Sequence, residues 1–189
     1  MRRAVQTILG LGLAVTVVAC SDNRPNDADP NAVGTSGLAA NADRDFIQDQ
    51  LEDGNREVVL GRLAAERATN PQVKEFGQMM VTDHQNAGEE LRQVASRNKI
   101  TIERDSDGDD ELRDQNEKLS KLSGREFDLE YITVMVDDHK KAVEDVEEKA
   151  EGSDNAEIKQ WATKALPKLR AHLQNAERLH ESLKQTGTR

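Results

Sequence analysis

The sequence contains few residues of the kinds that build disulfides, thiolate sites or aromatic pockets. Among 189 residues there are one cysteine, three phenylalanines, one tryptophan and one tyrosine. A single cysteine excludes an intramolecular disulfide and a metal site with several thiolate ligands. The scarcity of aromatic side chains argues against a β-sandwich, whose strands are enriched in them, and against a ligand pocket based on ring stacking.

Positively charged residues are also fewer than negatively charged ones. The chain carries 26 lysines and arginines against 36 aspartates and glutamates, which gives a formal net charge of -10. A nucleic-acid-binding protein needs a basic face to neutralise phosphates, so we expect no nucleic-acid partner. Charged residues nevertheless make up 33% of the chain, and together with many alanines and leucines they favour α-helices.

The first 19 residues have the layout of a secretory signal peptide. Arg2 and Arg3 precede an apolar segment, residues 4–19, which at about 16 residues is shorter than the roughly 20 that a membrane-spanning helix needs. The segment ends in the string Val-Val-Ala-Cys at Cys20, which resembles a bacterial lipobox. The alternative is an ordinary signal peptide followed by an unrelated cysteine.

The lipobox resemblance implies that Cys20 becomes the first mature residue and carries acyl chains that anchor the protein to a membrane. Ser21 stands where an aspartate would favour inner-membrane retention in enteric bacteria, so we expect the outer membrane, facing the periplasm. Residues 20–42 contain small polar residues, proline and glycine without periodicity, which predicts a flexible tether between the lipid and the folded part.

Apolar residues recur at helical spacing through residues 43–185. The pattern predicts four long helices and one short helix, over residues 43–68, 71–98, 110–122, 125–151 and 155–184. Only a few residues separate the first two long helices and the last two, so each pair should form an antiparallel hairpin. Two such hairpins bury their apolar stripes best as an all-α four-helix bundle, with the short extra helix between helices 2 and 3.

Two local features qualify this pattern. Pro167 lies inside the last helix and is expected to kink it or to open a wide turn. Three aspartates, Asp105, Asp107 and Asp109, precede the short helix, but the spacing of glycine and glutamate does not match a calcium-binding EF-hand loop. We interpret this segment as an acidic turn that caps the short helix.

Each long helix carries one polar residue on its apolar face. These residues are Glu57, His84, His139 and His172. Because buried charges and imidazoles are normally paired or metal-bound, we expect the four side chains to meet in the core. Three imidazoles and a carboxylate would suit one Zn, Fe, Mn or Cu ion. Asp83 and Asp138 precede two of the histidines and are candidates for orienting the imidazole rings.

Two alternatives to a metal site remain open at this stage. The same residues would also form a hydrogen-bonded network without metal, or they would fail to converge. Counting residues from each turn at 1.5 Å per residue places Glu57 and His84 at one level, but His172 about one helical turn away from His139. A di-iron centre is disfavoured, because the Glu-x-x-His pairs that it requires are absent before His84 and His172.

The chain resembles a bacterial ferritin-like domain family of unknown function whose members are described as predicted outer membrane proteins. The resemblance covers residues 43–185 and implies a ferritin-like antiparallel four-helix bundle that is exported and often lipidated. It implies no reaction. The strings that carry it are Gly54-Asn55-Arg56-Glu57, Asn70-Pro71-Gln72-Val73, Met79-Met80-Val81-Thr82-Asp83-His84, Gly124-Arg125-Glu126-Phe127, Met135-Val136-Asp137-Asp138-His139 and Leu166-Pro167-Lys168-Leu169.

These observations lead to one expectation and one alternative. We expect a lipid-anchored protein of the cell envelope whose core binds one transition-metal ion, for storage, sensing or protection against stress. The alternative is a non-enzymatic structural or interaction module in which the buried Glu, His and Asp side chains fix the helix register without metal. The sequence favours a protein that is not an enzyme, because it contains no nucleophile–base motif, nucleotide-binding glycine loop or serine elbow.

Overall fold

A computed structural model describes residues 30–103 and 110–186, with side chains described for residues 40–103 and 110–185. These residues form five α-helices, and no strand occurs among them. The helices are α1 (Pro30–Arg67), α2 (Pro71–Arg97), α3 (Asp110–Ser120), α4 (Gly124–Gly152) and α5 (Ala156–Thr186). The predicted all-α class and the order of four long helices and one short helix are confirmed. Within the described ranges, no helix is both long enough and apolar enough to cross a membrane.

The four long helices pack as two pairs. Helix α1 lies along α2, and α4 lies along α5, with three-residue connections at 68–70 and 153–155. Smaller contacts between α2 and α5 and between α1 and α4 join the pairs, and α3 contacts α4. We refer to α1 with α2 as the first hairpin and to α4 with α5 as the second hairpin.

Helix α1 begins earlier than the sequence pattern predicts. It starts at Pro30 rather than at residue 43, so the predicted tether of residues 20–42 is wrong from residue 30 onward. The physical reason is that extending an existing helix avoids the cost of nucleation, and Leu38 with the alanines at 39, 40 and 42 favours helix next to residue 43. The predicted signal peptide, Cys20 and the first part of the tether lie outside the described residues.

The turn between α1 and α2 is fixed by two side chains. The Asn70 side chain accepts a hydrogen bond from the Gln72 backbone N–H at 2.8 Å, and Pro71 occupies the first helical turn, where a missing N–H costs nothing. The buried carboxylate of Asp128 on α4 accepts hydrogen bonds from the backbone N–H of Thr69, the Thr69 hydroxyl and the backbone N–H of Asn70. Asp128 therefore ties the second hairpin to the turn of the first.

The predictions at Pro167 and at the acidic turn have different outcomes. Helix α5 continues through Pro167 without a break, so a wide turn does not form there. The proline removes one backbone hydrogen bond and crowds the carbonyl four residues earlier, and the packing of α5 against α4 offsets this cost. The short helix α3 starts at Asp110, as predicted, whereas residues 104–109 of the acidic turn lie outside the described residues.

The apolar core is divided into two clusters with a polar layer between them. The first cluster includes Leu60, Met80, Val136 and Ala176, and the second includes Leu51, Leu91, Ala142 and Leu169. On each long helix the predicted site residue lies between a member of the first cluster and a member of the second. The core packing therefore places all four polar side chains at one level of the fold.

Candidate metal centre

The structure brings the four predicted residues together in the polar layer. Glu57, His139 and His172 are buried, and the His84 side chain retains only 10% of its exposure. The centroids of the three imidazole rings are separated by 5.4–5.6 Å. One nitrogen from each ring lies within 4.8 Å of the other two. The mismatch of one helical turn expected between His139 and His172 does not occur.

The Glu57 carboxylate contacts two of the rings through its two oxygens. Oε2 lies 2.8 Å from Nδ1 of His84, and Oε1 lies 3.2 Å from Nδ1 of His139. Nδ1 of His139 also lies 2.9 Å from the backbone oxygen of Met135. Because a carboxylate and a carbonyl only accept, both Nδ1 atoms must donate. Both Glu57 oxygens therefore face ring nitrogens on the outer side of the cluster, away from the point where the rings meet.

The two aspartates that precede histidines have different environments. Oδ2 of Asp83 lies 2.9 Å from Nε2 of His172, and its Oδ1 accepts from Nζ of Lys168 at 2.8 Å. Asp83 therefore contacts His172 on α5 rather than His84, its neighbour on α2. Oδ2 of Asp138, by contrast, is buried and has no hydrogen-bond partner among the described residues. Among the described residues no hydrogen bond joins Asp138 to a ring nitrogen, so its orienting role stays a prediction.

The remaining ring nitrogens face one another. With one nitrogen of each ring donating to an acceptor, a neutral imidazole keeps a lone pair on the other nitrogen. These lone pairs are on Nε2 of His84, Nε2 of His139 and Nδ1 of His172. The last two atoms are 3.3 Å apart, and Nε2 of His84 is buried without a hydrogen-bond partner among the described side chains. Once His84 has lost its proton, three lone pairs converge without a donor between them.

The electrostatics of the layer favour an ionised Glu57. Burial pushes the pKa of Glu57 upward, but the facing imidazoles of His84 and His139 outweigh burial and bring it to about 2. Burial lowers the pKa of His84, and the Glu57 charge more than offsets this, so the net shift is upward. Burial lowers the pKa of His139, and it lowers the pKa of His172 to about 4 despite the hydrogen bond to Asp83.

The pKa values of two further groups near the cluster, Asp138 and Tyr131, are raised. Burial, reinforced by repulsion from Glu57, raises the pKa of Asp138 to about 7. Burial raises the pKa of Tyr131 well above its usual range, again with a contribution from Glu57. Burial is the main cause of both pKa shifts, and the charge of Glu57 adds to them.

Some members of the site were not predicted. The contact between His139 and the Met135 carbonyl could have been predicted, because a backbone carbonyl in a helix faces the side chain four residues later. Lys168 lies one turn before His172 on α5 and reaches Asp83 on α2, a contact between hairpins that no local pattern reveals. His180, the fourth histidine of the chain, lies two turns beyond His172 and is half-buried outside the cluster.

One nitrogen–nitrogen distance in the cluster matches that expected around a metal ion. Two nitrogens that are each 2.0–2.1 Å from a tetrahedral zinc ion lie about 3.3 Å apart, which is the separation of the His139 and His172 nitrogens. Histidine ligands usually donate their second ring nitrogen to a carboxylate or a backbone carbonyl, as all three do here. The three buried histidines could therefore hold one metal ion.

Comparisons with other proteins agree with the observed fold. The chain is similar to the crystal structure of a DUF305 fragment from Deinococcus radiodurans, with a TM-score of 0.65 and 14% sequence identity. The similarity covers 75% of this chain and 96% of that chain, and at this identity it shows a shared helical fold alone. No curated protein shows a significant match. A family model described as "Domain of unknown function (DUF4142)" matches residues 28–179. Because this match spans most of the chain, the protein belongs to the DUF4142 family of domains of unknown function.

Proposed function

We propose that the protein is a lipid-anchored, ferritin-like four-helix bundle of the cell envelope that binds one transition-metal ion in its core. The ligands are Nε2 of His84, Nε2 of His139 and Nδ1 of His172. The observation that carries the proposal is the convergence of the three histidines, each of which uses its other ring nitrogen in a hydrogen bond to a carboxylate or a backbone carbonyl. A cation satisfies all three lone pairs at once.

The carboxylates support this assignment. The sequence pattern predicts Glu57 as a metal ligand. In the proposed site it does not ligate the metal, because both its oxygens accept from Nδ1 atoms. Glu57 orients two rings, and Asp83 orients the third. Carboxylates in this position fix the tautomer and raise the basicity of the ligating nitrogen.

The donor set restricts the kind of metal. Imidazole nitrogens suit Zn, Cu, Fe and Ni, whereas oxygen-seeking ions such as Mg and Ca are disfavoured. Three nitrogen ligands in a core of apolar helices hold a single ion, so the proposed role is to store, sense or sequester a metal ion in the envelope rather than to run a two-metal oxidation.

The proposed helix arrangement and the proposed cellular location are supported by separate features of the chain. The short connections at 68–70 and 153–155 favour antiparallel pairing within each hairpin, as in a ferritin-like bundle. The envelope location rests on the apolar segment of residues 4–19 and the lipobox-like string ending at Cys20. Acyl chains on Cys20 would hold the bundle at the membrane surface without a spanning helix.

Metal analysis of purified protein tests the proposal. The protein is stripped with EDTA, incubated with excess Zn²⁺ or Co²⁺, desalted and analysed for metal. We expect about one ion per chain for the wild type and for His180→Ala, and a loss of bound ion for His139→Ala and for His172→Ala. If the wild type retains no more metal than His139→Ala, the proposal is wrong.

A second candidate function is favoured by one specific contact. Glu57 and His84 form a buried pair with a raised histidine pKa and a lowered carboxyl pKa, as expected for an ion pair that needs no metal. The polar layer would then fix the register of the two hairpins, and the protein would be a structural or interaction module. In that case, Zn²⁺ and EDTA leave the melting temperature unchanged.

A further inference from the structure

A groove lies between α1 and α2 on the first hairpin. It has a volume of about 270 Å³ and is lined by residues from Gln50 to Arg62 on α1 and from His84 to Arg92 on α2. Of the three clustered histidines, only His84 contributes to its lining. The groove, which we call the hairpin groove, is therefore a feature of the first hairpin rather than of the histidine cluster.

The hairpin groove carries positive charge. Apart from His84, its ionisable side chains are Arg62 and Arg92, and no aspartate or glutamate occurs among the described residues of the lining. The whole chain has 36 acidic residues against 26 lysines and arginines, so the groove has the opposite sign to the protein as a whole. A concave surface lined by charges of one sign concentrates ligands of the other sign, here anions.

The protein itself engages neither arginine. Both side chains are exposed, and neither forms a hydrogen bond or an ion pair with any described residue. Carboxylates are available on the same helices, because Glu66 lies four residues after Arg62 and Glu89 three residues before Arg92. The two arginines instead line the groove, where their planar guanidinium groups match the geometry of a carboxylate or a phosphate.

The contacts of Gly88 show how the two helices are aligned. A Cβ atom added at Gly88 would lie 3.7 Å from Cδ2 of Leu51, so these two residues share one level of the hairpin. Arg62 follows Leu51 by 11 residues toward the connecting turn, and Arg92 follows Gly88 by four residues in the opposite direction. At 1.5 Å per residue, the two arginine backbones are about 22 Å apart and stand at opposite ends of the groove.

The arginine side chains shorten this separation. A Cβ atom added at Gly88 would lie 3.3 Å from Nη1 of Arg92, so this guanidinium group folds back to the level of Leu51. Side chains on a helix tilt toward its N-terminus, which directs Arg62 toward Val58. The two charges are then separated by the seven residues between Leu51 and Val58, or about 10 Å.

The surface between the two arginines is partly apolar. Leu51 and Val58 are buried, Val59 is half-buried, and all three line the groove. A ligand that reaches both arginines must cover these side chains. Burial of apolar surface therefore favours a ligand with an apolar chain between its charged ends.

We propose that the hairpin groove binds an elongated dianion with a carboxylate or phosphate group at each end and an apolar middle. One anionic group pairs with Arg62 and the other with Arg92, and the apolar part lies over Leu51 and Val58. The site uses neither the proposed metal ion nor any of its ligand atoms.

Calorimetric titration of the full chain tests both the length and the charge of the ligand. The protein is stripped of metal, so that no bound ion attracts carboxylates, and is titrated at pH 8 in Tris chloride of low ionic strength. The probes are octanedioate, whose extended length suits the spacing of the arginines, butanedioate, which is shorter, and octanoate, which has one charge. We expect octanedioate to bind at least about fivefold more tightly than either of the others, and added sodium chloride to weaken it.

Three matched substitutions locate the binding. Arg62→Gln and Arg92→Gln each remove the charge at one end of the groove, and Arg178→Gln removes an exposed charge on α5, outside the groove. Each groove variant should bind octanedioate about fivefold more weakly, at the level of octanoate, whereas Arg178→Gln should change its affinity by less than about twofold. All three side chains are exposed, so circular dichroism should show the wild-type helix content in every variant.

Several outcomes would overturn the proposal. Equal affinities for octanedioate and octanoate would exclude a site with two charged ends, and equal affinities for octanedioate and butanedioate would exclude an elongated one. The absence of saturable binding, or the same loss in Arg178→Gln as in the two groove variants, would exclude the groove as the binding site. None of these results bears on the metal site, which is tested by metal analysis.

Discussion

The carboxylate of Glu57 on α1 receives the Nδ1 hydrogen of His84 on α2 at 2.8 Å and leaves Nε2 of that ring without a partner among the described residues. This contact joins the two helices of the first hairpin inside the core. It also fixes which nitrogen of His84 faces the other two imidazoles. The ionisation and orientation of the site therefore depend on a residue that does not lie at the point of convergence.

Replacement of Glu57 by glutamine should weaken metal binding. The amide can accept from one Nδ1, but its NH₂ group then faces the N–H of the other ring, so one imidazole loses its orientation. We expect the dissociation constant for Zn²⁺ to rise about 10- to 100-fold, measured by competition with a chromogenic chelator. Glu90→Gln, at a surface carboxylate paired with Lys164, is the control. Equal affinities in the two variants would contradict an orienting role for Glu57.

Acidification should destabilise the metal-free protein between pH 6.5 and 4. The pKa of His172 is lowered to about 4, so in this range the unfolded chain takes up a proton that the folded chain does not. Its contribution to the free energy of unfolding is complete above pH 6.5 and is lost as the pH falls toward 4. His139 acts in the same direction, whereas the raised pKa of His84 contributes stability that is lost as the pH rises.

Urea denaturation in EDTA at several pH values measures this dependence. His172→Asn should flatten the curve of unfolding free energy against pH between 6.5 and 4, and His180→Asn should retain the slope of the wild type. Below pH 4.5 both variants should lose further stability, because Glu57, with a pKa of about 2, resists the protonation that the unfolded chain undergoes. A slope that is the same in all three proteins would exclude His172 as its source.

Loss of the Asp128 carboxylate should destabilise the fold without changing the metal site. Asp128 accepts three hydrogen bonds, from the backbone N–H groups of Thr69 and Asn70 and from the Thr69 hydroxyl. Asp128→Ala removes all three acceptors and should lower the free energy of unfolding by about 3 kcal/mol. Asp128→Asn keeps one acceptor oxygen and should lose less. Metal content per folded chain should stay at the wild-type value in both variants.

The close approach of α1 and α2 predicts a strong effect of a small substitution. A Cβ atom added at Gly77 would lie 2.7 Å from the backbone oxygen of Gly61, and one added at Gly61 would lie 2.8 Å from the oxygen of Gly77. Gly77→Ala forces the helices apart and should cost about 1–3 kcal/mol despite the better helix propensity of alanine. Gly152→Ala, where no atom lies within 4 Å, should be neutral or stabilising in the same thermal denaturation assay.

The proposed envelope location predicts an effect of substituting Cys20. Acylation at this residue should place the wild-type protein in the membrane fraction of a bacterial host, extractable only with detergent. Cys20→Ser removes the acceptor thiol and should release the protein into the soluble periplasmic fraction or leave its precursor unprocessed. A membrane-bound, processed Cys20→Ser protein would show that the string at Cys20 is not a lipobox.

Helix order and most helix ends follow from local features of the sequence. Pro71 after Asn70 marks the start of α2, and the observed bounds of α4 and α5 differ from the predicted ones by one or two residues. The start of α1 could not be read from periodicity, because the segment before residue 43 has no apolar stripe. Helix continues there through the low cost of extending an existing helix, which leaves no repeating pattern in the sequence.

The site was predictable as a set of residues but not as a geometry. Apolar spacing places Glu57, His84, His139 and His172 on inward faces, and the structure brings them together. The position of His172 along the bundle axis could not be derived from the sequence. Counting 1.5 Å per residue ignores the angle between the two helices and the length of the connection between them. The choice between ligating and orienting roles for Glu57 depends on which ring nitrogen each oxygen faces, and side-chain rotation is not encoded in spacing.

The division of the polar layer between the two hairpins has a consequence for the order of assembly. His84 belongs to the first hairpin, whereas His139 and His172 belong to the second, so neither hairpin alone presents more than two imidazoles. Only docking of the two halves creates the three-nitrogen set. An ion bound there would link the two hairpins, and its presence would show that they have packed together. In an exported chain, metal capture would then be the last step of maturation and would distinguish a finished molecule from a half-assembled one.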